Sequence, residues 1–183
     1  MNLGNGYTVT SIPAIELDER QKGVWSEWIA ALRSGNFTQG RRLLKTEKEL
    51  PDKNKILMHC CLGVLCDVLG PDRQKELGVG IFAPDYVNVT TGYKAWMFEG
   101  LDPDALAKAY KVSLPQQIVD SLRLETTSGI EIGIIWGMSK EESCMTLAGL
   151  NDDGVRFDEL ANILEKAMSG GYKLQKEAKN ETH

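Results

Sequence analysis

Apolar residues recur at three- and four-residue spacing in two segments, and this pattern predicts two amphipathic helices. The first helix is expected to begin after Asp18, a residue type that caps helices, and to end near Arg33 before Ser34–Gly35. Its apolar stripe consists of Val24, Trp25, Trp28, Ile29 and Leu32. The second helix is marked by Phe157, Leu160, Ala161, Ile163, Leu164 and Ala167, and Gly170–Gly171 ends it.

Weaker patterns predict further elements along the chain. Helices are expected at 36–50, at 56–69, from Asp102 onward, at 115–122 and, from a capping-box pattern at 139–142, at 140–150. Strands are expected near 7–10, at two or three places within 78–100, and within 129–138, where isoleucines concentrate. We therefore expect an α+β fold, a helix-rich single domain with a small central antiparallel β element.

The length of 183 residues agrees with one domain, which we place at residues 1–172, followed by a polar, flexible tail at 173–183. The chain carries 21 basic and 26 acidic residues, a net charge of −5, so nucleic acid is an improbable partner. Residues 1–17 lack the features of a secretory signal, and no apolar run approaches the ~20 residues of a membrane span. With thiols clustered in one segment, these features predict a cytoplasmic protein that does not bind membranes.

The segment from His59 to Asp67, with the sequence HCCLGVLCD, contains most of the reactive side chains. On a continuous helix Cys61 and Cys66 would lie at about 100° and 240° from Cys60, so the three thiols would point in different directions. His59 would lie about 10 Å along the helix axis from Cys66. One tetrahedral ion does not bridge such a distance. We therefore expect neither a metal nor another cofactor.

A second hypothesis for the same segment is catalysis. Cys60 or Cys61 at a helix N-terminus would be a candidate nucleophile of a hydrolase or deamidase, with His59 as the candidate base. The chain has two histidines, and His59 is the direct neighbour of Cys60, an unfavourable position for a base. Packing of small thiols in a buried helix is the simpler interpretation, so we expect no enzyme and keep the cysteine hydrolase as an alternative.

The segment from Asn151 to Gly154 raises two further hypotheses, a calcium-binding loop and a DNA-binding motif. It resembles a calcium loop, but with Gly154 at the sixth position the twelfth position is Leu160, where a bidentate Glu is needed. Helix, turn and helix around this segment also suggest a helix-turn-helix DNA-binding regulator, which stays a second alternative. A basic recognition helix does not follow in the sequence.

Three segments together carry a family resemblance. They are WIAALRSG at 28–35 with Gln39–Gly40 and Leu43, CCLGVLCD at 60–67, and LNDDG at 150–154 with Phe157, Leu160 and Ala161. In this order the segments resemble a group of small bacteriophage and prophage proteins of unknown function. The resemblance implies a phage setting and, for a phage-encoded protein, the host cytoplasm.

From this resemblance we expect an accessory protein that acts by binding, in counter-defence or host takeover. It would sequester a host protein or a small nucleotide-like ligand, and it could form a homo-oligomer. For a nucleotide-like ligand, the candidate phosphate contacts are Arg41 and Arg42. The candidate stacking residues are Trp25, Trp28 and Trp96.

Overall fold

The structure is a computed structural model that describes residues 1–84, 87–88, 113–138 and 141–174. It confirms the α+β class. The helices are α1 (Glu19–Arg33), α2 (Cys61–Glu76), α3 (Gln116–Ser121), α4 (Leu147–Asp152) and α5 (Phe157–Met168). The strands are β1 (Tyr7–Ile12), β2 (Thr38–Gln39), β3 (Lys45–Glu49), β4 (Lys55–His59), β5 (Val87–Asn88), β6 (Glu131–Trp136), β7 (Ser143–Thr146) and β8 (Tyr172–Lys173).

The strands form two four-stranded sheets. Sheet A has the order β7-β6-β1-β8 with antiparallel neighbours. Sheet B has the order β2-β4-β3-β5, in which the β3–β4 hairpin is antiparallel and the short outer strands pair in parallel. The β structure is therefore more extensive than one small central element.

Local capping signals and the apolar stripe explain helix α1. Asp18 accepts a hydrogen bond from the Gln21 backbone N–H, and the Gln21 side chain accepts one from the Asp18 N–H, which is a capping box. The stripe is buried, with Trp25 and Trp28 in edge-to-face contact at 5.8 Å between ring centroids. Both indoles donate to buried carbonyl oxygens, Trp25 to Leu122 and Trp28 to Cys61. The two tryptophans thus bond α1 to α2 and to the residue that follows α3.

The helix α2 comes closest to sheet B at Gly63. A Cβ atom at this position would overlap the carbonyl oxygen of Leu44, the residue just before β3. A backbone approach of this kind requires glycine. Farther along, Gly70 adopts φ 51° and breaks the helix before Pro71, so the chain bends just after the predicted helix end at residue 69 and then resumes a helical course.

Several sequence predictions are confirmed by the structure. Helices α1, α3 and α5 and strands β1 and β6 lie where the sequence placed them. The helix expected at 102 and Trp96 lie outside the described residues, and so does most of the segment 78–100 that was expected to form strands. The part of the chain that the structure describes contains no helix with the length and apolar character needed to cross a bilayer.

Three helix predictions need correction. Residues 36–50 form the strands β2 and β3 instead of a helix, because both strands pair with β4. Along β3, the side chains of Lys45, Glu47 and Glu49 lie on the face opposite to that of Thr46. Helix α2 begins at Cys61, because residues 55–59 form the partner strand of that hairpin. In the segment predicted as a helix at 140–150, residues 143–146 pair with β6, and the short helix α4 starts only after Thr146 caps it.

The close approach at Gly63 leads to a stability prediction. Gly63→Ala should lower the free energy of unfolding by about 2–3 kcal/mol, because the added methyl group pushes α2 away from Leu44. Helix propensity alone would give the opposite sign, about 1 kcal/mol in favour of alanine. Gly23→Ala in α1 is the matched control, because a Cβ there meets nothing within 4 Å. The control should raise the free energy of unfolding by about 0.5–1 kcal/mol in urea titrations. An equal gain from both substitutions would refute the packing argument.

Candidate functional site

The three motif segments meet at the N-terminus of α2, around the fully buried side chain of Asn151. Its Oδ1 accepts hydrogen bonds from the Cys61 backbone N–H and from Gln39 Nε2, both at 3.2 Å. Its Nδ2 donates to the Gly40 carbonyl oxygen at 2.9 Å. Cys60 occupies the N-cap position without a side-chain cap bond, so Asn151 supplies an acceptor for the helix N-terminus. The motif residues therefore form a structural junction.

The thiols of the motif are inaccessible. Cys60, Cys61 and Cys66 are 4%, 0% and 5% exposed. Burial raises the pKa of Cys61 and of Cys66 well above the ordinary range of a thiol, so both stay protonated at neutral pH. Cys61 Sγ also lies 3.8 Å from the Leu147 carbonyl oxygen. The geometry does not provide the exposed thiolate that the cysteine-hydrolase alternative needs.

The imidazole of His59 contacts the carboxylate of Asp67 and not an ionised cysteine. The imidazole is buried, its Nε2 lies 2.9 Å from Asp67 Oδ2, and its ring lies edge-on to Phe37 at 5.0 Å between centroids. Lys45 forms an ion pair with the other carboxylate oxygen of Asp67. Burial raises the pKa of Asp67, but the hydrogen bonds from His59 and Lys45 outweigh it, so the pKa lies below its ordinary value. This three-residue cluster joins sheet B to α2.

The prediction about a metal site placed His59 and the three cysteines on one continuous helix that starts at residue 56, and this start is wrong. His59 ends β4 and Cys60 precedes α2, so neither belongs to a continuous helix from residue 56. Among the described residues, no group of three or more His, Cys, Asp or Glu side chains is arranged to hold a metal ion.

Among the predicted nucleotide-contacting residues that the structure describes, the tryptophans and the arginines do not share one surface. Trp25 and Trp28 are fully buried and donate their indole N–H groups to backbone carbonyls, so neither presents a ring face to a ligand. Arg41 and Arg42 are exposed, but they lie beside the acidic turn that follows α4. The role predicted for the two tryptophans is therefore wrong, because core packing uses both rings.

The two arginines contact that turn directly. The Arg42 backbone N–H donates to Asp152 Oδ1 at 2.6 Å, and the Arg41 guanidinium packs over Gly154. Burial raises the pKa of Asp152 above its ordinary value, although the bond from Arg42 opposes this shift. The Asp152 carboxylate therefore offsets part of the positive charge of Arg42.

The geometry of α4 and α5 bears on the DNA-binding alternative. Helix α5 packs its apolar face into the core, and its exposed face carries Asp158, Asn162, Glu165 and Lys166. Arg33 of α1 bonds to Asn162 and Glu165, the latter at 2.8 Å. A face of mixed charge that α1 already contacts does not offer the basic surface that DNA phosphates require.

A large open concavity lies elsewhere, on the outer face of sheet A. We call it the sheet groove, and its volume is about 1150 Å³. Its lining consists of residues 10–13 and 170–174 with Glu125, Glu131, Gly133, Ile135, Glu142 and Cys144. The inner face of the same sheet carries Val9, Ile132 and Ile134 into the core. Because side chains alternate along a strand, the residues between them face the groove.

A bulge in β1 shapes the floor of the groove. The register shifts between Val9 and Ser11, so both Thr10 and Ser11 present hydroxyl groups beside Gly133 of β6. A Cβ atom at Gly133 would overlap the Ser11 hydroxyl. Because Gly133, Ser11 and Thr10 have small side chains, the floor of the groove is low at the centre of the sheet, between the glutamates of the lining. Sequence analysis did not identify this site, although the alternation Glu131, Gly133 and Ile135 was visible within the predicted strand.

The accessibility of the four cysteines can be tested by thiol labelling. In the native protein Cys144 should react with a maleimide, because it is the exposed cysteine, and the other three should react only after unfolding. Intact mass spectrometry would show one adduct before and four after addition of urea. Cys144→Ser is the control and should abolish native labelling. Rapid native labelling of Cys60 or Cys61 would restore the hydrolase alternative.

The low pKa of Asp67 predicts a pH-dependent contribution to stability. The carboxylate stabilises the folded protein above the unfolded-chain pKa of about 3.9, and this contribution is lost as the pH falls through the lower folded-state pKa. Asp67→Asn should lower the free energy of unfolding at pH 7 by about 1–2 kcal/mol. The difference from the wild type should vanish once the pH falls below the folded-state pKa, as urea titrations across the acidic range would show.

Glu165→Gln provides the control for this measurement, because Glu165 pairs with Arg33 on the exposed surface. Water screens this pair, so the control should change stability little at any pH. A pH-independent loss in Asp67→Asn would show that the carboxylate contributes through packing and not through its charge.

Comparison with known proteins gives one family match. Residues 20–168 match the model of a family described as "Domain of unknown function (DUF8296)". No curated protein and no solved structure matches the chain. The matched range extends from α1 to the end of α5 and contains all three motif segments around Asn151. The chain therefore belongs to the DUF8296 family.

Proposed function

We propose that this protein is a non-enzymatic binding protein and that it holds its partner on the outer face of sheet A. The observation that carries this proposal is the sheet groove, an open trough of about 1150 Å³ whose floor is formed by β1 and β6. One face of the sheet supplies core residues, and the other face presents polar side chains to solvent. Concave sites with a few convergent polar groups are the preferred places for ligands.

The state of the cysteine motif supports binding over catalysis. A nucleophilic thiol must be ionised and reachable, whereas burial keeps the thiol of Cys61 protonated. The imidazole of His59, the neighbour of Cys60 in the sequence, is held between Asp67 and Phe37. The motif residues form the hydrogen-bonded junction at the N-terminus of α2, so they contribute to the stability of the fold.

The biological role that we propose follows from the resemblance to phage and prophage proteins. In the host cytoplasm, the protein would sequester a host factor during counter-defence or host takeover. A host protein suits the sheet groove better than a nucleotide-like ligand, because Glu125, Glu131 and Glu142 line it. Carboxylates at these positions repel phosphate groups.

Site-specific photo-crosslinking in living cells tests whether the sheet groove is the contact surface. A benzophenone amino acid would replace Ile135 or, separately, Cys144, both of which line the groove. Exposed positions outside the groove lining, Ala30 on α1 and Lys48 on β3, serve as matched controls. We expect ultraviolet light to produce an adduct of the same mass from both groove positions and none from the control positions.

Three outcomes would contradict the proposal. Adducts from the control positions at equal yield would indicate nonspecific contact. The absence of any groove adduct in the natural host would remove the groove as a docking surface. Turnover of a substrate that depends on Cys60 or Cys61 would place the protein among enzymes.

A further inference from the structure

The charge pattern of the sheet groove identifies the chemistry of its partner, an inference that rests on the proposed function. Glu125, Glu131 and Glu142 are exposed carboxylates of the lining, and Lys173 is the single basic lining residue among those described. No lysine or arginine within the described ranges forms an ion pair with the three glutamates. The groove therefore has an excess of negative charge that the described cations leave unpaired.

Two of these carboxylates are held in place from within the protein. Glu142 Oε1 accepts a hydrogen bond from Thr10 Oγ1 at 2.5 Å, and Glu125 Oε2 accepts one from the Glu131 backbone N–H at 2.5 Å. Each carboxylate keeps a second oxygen for an external donor. Fixed acceptors lose little conformational entropy on binding, which favours recognition of a cation.

The positions of these acids match an extended peptide. The Glu142 carboxylate lies over Gly133, since its Oε1 would be 3.3 Å from a Cβ atom placed there. Gly133 is two residues along β6 from Glu131, a backbone separation of about 7 Å. Alternate side chains of an extended chain have the same spacing. Ile135, half-buried on this face, offers apolar surface to the methylene groups of a lysine or arginine side chain.

We propose that the sheet groove binds an extended segment of a partner protein in which lysine or arginine occupies alternate positions. The cationic heads contact Glu131 and Glu142, and the segment lies across the low floor at Gly133. A volume of about 1150 Å³ suits a peptide better than a small amine, because small-molecule sites are commonly about 300–1,000 Å³. The negative groove excludes nucleotides for the same electrostatic reason.

Binding of synthetic peptides to the full chain tests this proposal. The probe is a short peptide in which lysine and threonine alternate, and calorimetry gives its dissociation constant. The double variant Glu131→Gln/Glu142→Gln should weaken binding at least about tenfold, because both of the carboxylates that contact the cationic side chains lose their charge. The matched control Glu19→Gln/Glu49→Gln removes the same net charge from exposed sites outside the groove lining and should stay within about twofold.

Several outcomes decide between the proposal and its rivals. Equal weakening by both double variants would reduce the effect to long-range attraction by the net charge, and absence of peptide binding at millimolar concentration would refute the proposal directly. Tighter binding of spermidine than of the peptide would make a small polyamine the occupant. Binding of a glutamate–threonine peptide with equal affinity would exclude charge recognition. Thermal unfolding of each variant confirms that it is folded.

The two proposals fail independently. Crosslinks from Ile135 and Cys144 without peptide binding would retain the groove as a docking surface and reject its cationic partner. Peptide binding that the control variant preserves, without crosslinks in cells, would support the chemistry of the site and reject its use in the host.

Discussion

The buried amide of Asn151 is the contact on which the arrangement of the other segments depends. It accepts from the N–H of Cys61 at the start of α2 and donates to the carbonyl oxygen of Gly40, next to β2. A buried backbone group without a partner costs about 1–3 kcal/mol, so this single side chain fixes where β2 ends and where α2 begins. The three motif segments look unrelated along the chain, but they meet around one hydrogen-bonding group. The motif residues therefore hold these segments of the fold together.

Local signals determine which parts of the fold were predictable from the sequence. The capping box at Asp18 and Gln21 and the apolar stripe are contained within α1, and α5 has an equally complete stripe. Strand β3 has no such local signal, because Lys45, Glu47 and Glu49 acquire their strand geometry by pairing with β4. A capping-box pattern at 139–142 predicted a helix, but pairing with β6 makes residues 143–146 a strand. Long-range pairing outweighed local propensity in both segments.

The cysteine motif shows how one boundary controls a chemical interpretation. A helix starting at residue 56 would direct His59 and the thiols around a single axis. Because β4 ends at His59 and α2 starts at Cys61, the imidazole instead meets Asp67 across the strand–helix junction. Predicting that contact needs the relative placement of two elements, which a helical projection does not contain. The small side chains of the motif, Gly63 above all, allow the backbone before β3 to approach α2.

The lining of the sheet groove depends on how the core packs against sheet A, and this packing is not visible in the sequence pattern. Burial of Ile132 and Ile134 fixes the register of β6, and a slip of one residue would direct Glu131 and Gly133 inward. The bulge in β1 then adds a second hydroxyl to the floor without moving Val9 out of the core. Glu142 joins the lining because β7 is a strand and not a helix. The apolar residues on the inner face of sheet A therefore determine which acidic side chains its outer face presents.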